Sequence, residues 1–177
     1  MRASAFVVGP ADGPGAALAD LARGLGFASV HAYSSLASAE AQAQQLPLIF
    51  FLFAAVDDVG DLKSVADTIR FSPGRRLRFC PMVYFSESPS LEAIRTCVEM
   101  GFDDVITLPF ASERVSRRLG RLVDHTQVYF ETADYLGPDR GARKAHGRQG
   151  GQYRRLEIIR TASSGVSVMR DEMQVAV

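Results

Sequence analysis

The sequence predicts an α/β fold: a doubly wound, five-stranded parallel sheet in the order 2-1-3-4-5, followed by a C-terminal extension. Three observations predict it. Short apolar runs alternate with helix-periodic segments along residues 1–124. The strongest run, Leu48-Ile49-Phe50-Phe51-Leu52-Phe53, is apolar on both faces, as a central parallel strand should be. With 47% hydrophobic residues in a chain of 177, there is enough apolar material for a real core.

The elements follow in order. Ala5-Phe6-Val7-Val8 is a short apolar run that Gly9-Pro10 ends. Leu18, Leu21, Ala22 and Leu25 recur at helical spacing, and Gly26 stops that helix. Ser29 to Tyr33 reads as a second strand, and Ser35 to Gln45 as a second helix. After the third strand, Asp61 to Phe71 carries Leu62, Val65, Ala66 and Ile69 on one helical face, and Ser72-Pro73-Gly74 closes it. Cys80 to Phe85 is a fourth strand. Pro89 to Met100 is a fourth helix, with Leu91, Ile94 and Val98 expected inward. Asp104 to Leu108 is a fifth strand, and Ser112 is expected to cap a fifth helix. Strict alternation of this kind favours a parallel sheet with helices on both faces.

Composition narrows the function. Formal net charge is zero, so no global field draws the chain to nucleic acid or membrane. The two cysteines, Cys80 and Cys97, stand in apolar surroundings and read as free core residues without metal spacing. The run from Leu46 to Val56 is too short to span a bilayer, and no leader-like N-terminus is seen, so a cytoplasmic setting is expected. His31, His125 and His146 are scattered and form no catalytic or metal constellation. The Gly9-to-Gly15 loop contains Pro10 and Pro14, which remove two backbone donors that a phosphate cradle would need.

Three local stretches carry a resemblance. Ile69-Arg70 through Pro81-Met82-Val83-Tyr84-Phe85-Ser86 resembles the passage from third helix to fourth strand of response-regulator receiver (CheY-like) domains. Met100-Gly101-Phe102-Asp103-Asp104-Val105-Ile106-Thr107-Leu108-Pro109-Phe110 resembles their fifth-strand motif, in which a lysine precedes Pro-Phe. Pro47 to Phe53 is similar to their third strand, and the likeness spans about residues 4–124. Such domains use an acidic pair for Mg²⁺, an acceptor aspartate, a Ser or Thr, and a Lys, because the attacking carboxylate and the phosphoryl group repel unless charge is neutralised.

Here the resemblance implies a degenerate site. Gly9 and Pro10 stand where the acidic pair belongs, and Phe53 (Leu52 if the register slips by one) where the acceptor belongs. Leu108 stands at the lysine position; only Ser86 matches. Replacing a whole charged cluster by apolar groups can be neutral or stabilising, whereas losing one member is costly. The pairs Asp57-Asp58 and Asp103-Asp104 read as solvated loop charges.

Residues 125–177 read as an arginine-rich extension, with short elements at Tyr153 to Arg160 and Val166 to Met169 left unassigned. Between 140 and 160, Arg140, Arg143, Lys144, Arg148, Arg154, Arg155 and Arg160 face only Glu157, and Tyr135 and Tyr153 bracket the run. A solvated tail is the plainer reading. The alternative is an anion site, since arginine forks suit phosphates and tyrosines stack bases. A receiver-like body with such an end resembles the CheY-like cyclic-di-GMP effectors. Tyr135-Leu136-Gly137-Pro138-Asp139-Arg140 is similar to a Tyr-x-Gly-Pro-Asp-Arg motif of bacterial regulators, although Gly141 breaks the arginine run.

The expectation is therefore a non-catalytic pseudo-receiver, acting through a signalling protein partner in a bacterial two-component-type pathway without a cofactor. Its output face would include Glu92, Arg95, Thr107, Arg114, Arg117 and Arg118. A cyclic dinucleotide at the tail is the runner-up, and a second copy of the chain is kept as a candidate partner. Nucleic acid is disfavoured, because beyond Arg75-Arg76-Leu77-Arg78 the body adds no basic stripe.

Overall fold

A computed structural model describes residues 2–88, 90–107, 109, 111–140 and 151–175. The body runs β1 (Ser4–Val8), α1 (Gly13–Gly24), β2 (Ser29–Ala32), α2 (Leu36–Gln45), β3 (Ile49–Phe53), a 3₁₀ turn (Val59–Leu62) and α3 (Lys63–Arg70). It continues through α4 (Arg75–Arg78), β4 (Met82–Ser86), α5 (Leu91–Glu99), β5 (Asp104–Thr107) and α6 (Ser112–Gly120). The five strands form one parallel sheet in the order β2-β1-β3-β4-β5, as the sequence predicts.

Alternation of side chains along β1 and β3 divides the core between the two faces. Phe6, Ile49, Phe51 and Phe53 pack with Ala39 and Ala43 of α2, Ala66 and Ile69 of α3, and Cys97 of α5. Ala5, Val7, Phe50 and Leu52 pack with Leu18 and Ala22 of α1, and with Val115 and Leu119 of α6. Cys80 and Cys97 are buried and form no disulfide, and burial pushes both thiols up to about 12.

Several local expectations shift. The fourth strand starts at Met82 because Arg75–Arg78 forms a short extra helix ahead of it. The third helix is entered through a 3₁₀ turn capped by the Asp58 carboxylate, which accepts from the Gly60 amide. Ser112 does not cap α6: Ala111 occupies that position with no side-chain bond. On α5, Leu91 is 78% exposed and Ile94 38%, while Cys97 and Met100 are buried. Cys97 and Met100 form the inward side with Ala93 and Val98 half-buried, while Leu91 and Ile94 turn to solvent.

The extension is a second sheet, not a solvated tail. β6 (Thr126–Glu131), β7 (Leu136–Pro138), β8 (Gln152–Thr161) and β9 (Gly165–Val175) pair antiparallel in the order β7-β6-β8-β9. Asp124, at φ +60°, makes the turn into it, and its amide donates to the Arg160 carbonyl at 2.8 Å. Tyr129, Leu136, Leu156 and Ile158 close over Phe79 of the body. Backbones come close enough that a Cβ on Gly101 (φ +77°) would lie 2.2 Å from the Leu136 carbonyl oxygen. One on Gly137 would lie 2.6 Å from the Gly101 Cα. Phe79 and Gly101 precede β4 and β5, so the second sheet caps the amino ends of the parallel strands.

Candidate functional site

In open α/β sheets, ligands bind beyond the carboxyl ends of the strands. Here that pole carries Gly9-Pro10 after β1, Phe53 at the end of β3 and Ser86 at the end of β4. Val8, Phe53 and Tyr84 lie side by side across the sheet. Phe53 is fully buried and its ring meets Phe102 edge-on, with centroids 4.7 Å apart. Leu52 is equally buried on the other face, so a one-residue slip in register still gives an apolar group.

Gly9 leaves no room for a carboxylate. Its φ is +154°, and a Cβ there would stand 2.8 Å from the Ala54 Cβ. The Pro10 carbonyl oxygen occupies the space above Gly15, where a Cβ would approach it to 1.8 Å. The Gly15 and Ala16 amides turn back onto the Asp12 carbonyl, as in an ordinary helix start. The Ser86 hydroxyl donates to the Ser88 carbonyl at 2.6 Å, so it serves the turn. Leu108 lies outside the described residues. A cleft of about 530 Å³ opens beside this pole, between the loops after β3 and β4 and helix α5. Asp57, Asp58, Glu87 and Glu92 contribute carboxylates to its wall. Among the described residues, no group of three or more His, Cys, Asp or Glu side chains is arranged to hold a metal ion.

The tail candidates among the described residues sit at the opposite pole and do not converge. Arg140 donates to the Phe102 carbonyl at 2.9 Å and also to the Asp103 carbonyl. Arg154 forks onto Asp171 at 2.7 and 3.1 Å, and Arg155 holds Glu157 at 2.7 Å. Tyr135, expected as a base-stacking group, is buried with its ring stacked on Phe130 at 4.5 Å. The Tyr153 hydroxyl donates to Gln174 at 2.7 Å. Successive residues of β8 point to opposite faces, so Arg154 faces away from Tyr153 and Arg155. Arg143, Lys144 and Arg148 lie outside the described residues. Of the described cations, Arg154 meets Glu131 of β6 and Asp171 of β9, and Arg160 meets Asp103, carboxylates that one-dimensional reading places far away.

The structure's densest electrostatic feature was missed. Asp103 is not a solvated loop charge; its side chain is fully buried between Arg70 and Arg160. Its Oδ2 accepts from Arg70 Nη2 at 2.7 Å and the Met82 amide at 2.8 Å. Its Oδ1 accepts from Arg160 Nη2 at 2.9 Å and from the Tyr129 hydroxyl. A guanidinium has five N–H donors. Arg70 uses them on the carbonyls of Gly101, Arg78 and Cys80 and on Asp103. Arg160 uses its own on Phe79, Leu122, Gln127, Asp103 and Tyr129.

Burial opposes the ionised Asp103, but Arg160 and then Arg70, with the Tyr129 hydroxyl and Met82 amide, outweigh it and hold its pKa below the usual carboxylate value. Burial pushes the Tyr129 phenol up, so it stays a neutral donor. One sequence pattern could have placed Arg160: it continues the inward row of Leu156 and Ile158 at a spacing of two.

Arg114, Arg117, Arg118 and Arg121 line a second cleft, of about 440 Å³, along α6. Arg118 forks onto Asp104, with Nε to Oδ2 at 2.8 Å, and Arg117 pairs with Glu113 at 2.7 Å.

Five parallel strands in the order 2-1-3-4-5 with helices on both faces are the CheY-like arrangement. The body has the doubly wound topology that flavodoxin and CheY share. Two solved structures are similar to it. One is the receiver domain of the sensor histidine kinase PA1611 from Pseudomonas aeruginosa PAO1, with magnesium in its active-site cleft. It is 20% identical, with a TM-score of 0.43, over 67% of this chain and 94% of that one. The other is the response regulator RPA3017 in red light signalling of R. palustris, 13% identical, with a TM-score of 0.43, over 67% of this chain and 90% of that one. Comparison with protein-family models gives no match, and comparison with curated proteins gives none. Among the described residues, no helix is long and apolar enough to cross a membrane.

Proposed function

We propose that this chain is a pseudo-receiver: a signalling module that works by protein–protein interaction and takes no phosphoryl group on aspartate. The observation that carries this reading is Phe53, buried at the end of β3 and packed on Phe102, where a receiver presents its acceptor. Phosphoryl transfer to carboxylate needs a nucleophilic oxygen, a metal held by acidic groups, and a cation for the developing charge. At the ends of β1 and β3 this chain offers Gly9, Pro10 and Phe53 in those places. The module belongs to a bacterial two-component-type pathway in this reading, and its state is set by partner binding.

The interaction face is formed by α5, β5 and α6. Leu91 and Ile94 stand exposed one helical turn apart on α5, and α6 adds the arginine-lined cleft beside Asp104. Exposed apolar side chains rimmed by charge fit a protein partner better than a small ligand. Incubation with a small-molecule phosphodonor and Mg²⁺, read by intact mass, tests the central claim. The expected result is an unmodified chain; stable stoichiometric aspartyl phosphate would overturn the reading.

A further inference from the structure

Building on the protein-interaction reading, we infer that the arginine face of α6 docks an acidic segment of the partner, a run of Asp or Glu side chains laid along the helix. Arg114, Arg117, Arg118 and Arg121 recur at spacings of three and four, so they share one face and line the cleft beside Asp104. Glu113 answers Arg117, and Asp104 answers Arg118. Among the described residues, no carboxylate pairs with Arg114 or Arg121. Asp103 adds no counter-charge to the cleft, because its carboxylate turns inward to Arg70 and Arg160. Arg140 of the extension donates to the Asp103 carbonyl and so brings a further cation beside a residue of the lining.

Arg114 gains nothing from the fold. It lies in the first turn of α6, where the helix dipole disfavours a cation. It also stands three and four residues from Arg117 and Arg118, where like charges repel. A carboxylate brought from outside offsets both effects. The kind of occupant follows from the lining. Arg118 already forks a carboxylate there, with Nε to Oδ2 at 2.8 Å. Among the described residues of the lining, Leu122 alone is apolar and none is aromatic, so a nucleotide base has no ring to stack on. Arg114, Arg117 and Arg121 are exposed, and a small anion on any one of them stays in water and is weakly held. A segment running from Arg114 to Arg121, about 10 Å along the helix, meets all of them at once.

Fluorescence anisotropy of a labelled oligoglutamate peptide with the full chain tests this, with unlabelled peptide, oligothymidine and pyrophosphate as competitors. Saturable binding that weakens with added salt is expected. Arg114→Ala combined with Arg121→Ala is expected to raise the peptide Kd by about tenfold or more. Both residues are exposed, so the urea midpoint of that variant should be unchanged. Arg76→Ala, at an exposed arginine outside the cleft, is expected to leave binding as it was. Absence of peptide binding, equal binding by the double variant, or an equal loss in Arg76→Ala would each overturn the inference. Displacement by oligothymidine or pyrophosphate at lower concentration than by unlabelled peptide would overturn it too. A protein partner captured through Leu91 while the peptide fails to bind would overturn this inference alone and leave the protein-interaction reading in place.

Discussion

Arg160 of β8 reaches Asp103, ahead of β5, at 2.9 Å, and so ties the second sheet to the parallel one. Both side chains are essentially without solvent contact. Without Arg160, Asp103 keeps Arg70 but its Oδ1 loses a charged donor, and a buried acceptor left unmet costs about 1–3 kcal/mol, more when it is charged. Arg160→Met is therefore expected to lower stability by that order, as measured by urea unfolding. It also strips the Phe79 and Leu122 carbonyls of a donor.

The same carboxylate sets an acid limit. Its folded pKa is depressed, so its contribution is fully present above the unfolded value of about 3.9 and is lost as pH falls through the folded value. Stability is expected to drop on acidification below about pH 4. In Asp103→Asn the acid limb should be shallower by about one proton, at a lower overall stability. Chemical denaturation at a series of pH values reads both.

Phe53→Asp is expected to unfold the chain rather than restore an acceptor. The side chain is fully enclosed, and the replacement deletes the contact with Phe102 while burying an unpaired carboxylate. Loss of the aromatic packing alone costs about 3–5 kcal/mol. Thermal unfolding of the variant checks this. A stable Phe53→Asp protein would show that this pole accommodates a carboxylate that its geometry excludes.

Leu91→Glu is expected to change stability by less than about 0.5 kcal/mol, because the residue is 78% exposed. On the proposed function, the same substitution is expected to abolish capture of a protein partner by the immobilised chain. Equal capture by wild-type and variant would move the interface away from α5.

The parallel sheet was legible in the sequence because its cue is local. Apolar runs such as Leu48 to Phe53 declare buried strands, and Gly26, Gly74 and Gly101 punctuate them. The antiparallel sheet was not, because its partners are distant: Arg154 finds Asp171, and Arg78 finds Glu131. A sum of charges over 140–160 cannot see those carboxylates. Leu91 and Ile94 misled for a different reason, since an apolar stripe at helical spacing looks the same whether it meets a core or awaits a partner. Gly9-Pro10 and Phe53 were singled out from the sequence, and the structure adds why a carboxylate at Gly9 has no space.

The cap over the amino ends of the strands bears on how the chain is made. On a ribosome the parallel sheet emerges complete before β8 does, yet Asp103 then has only one of its two guanidinium partners. The contact from Arg160 to Phe79 closes a separation of 81 residues, and that to Asp103 closes 57. Closing loops of that length is slow compared with local structure formation. The nascent body therefore waits, with Asp103 Oδ1 still lacking its Tyr129 and Arg160 donors, until β6 and β8 have emerged, and its stability depends on those strands.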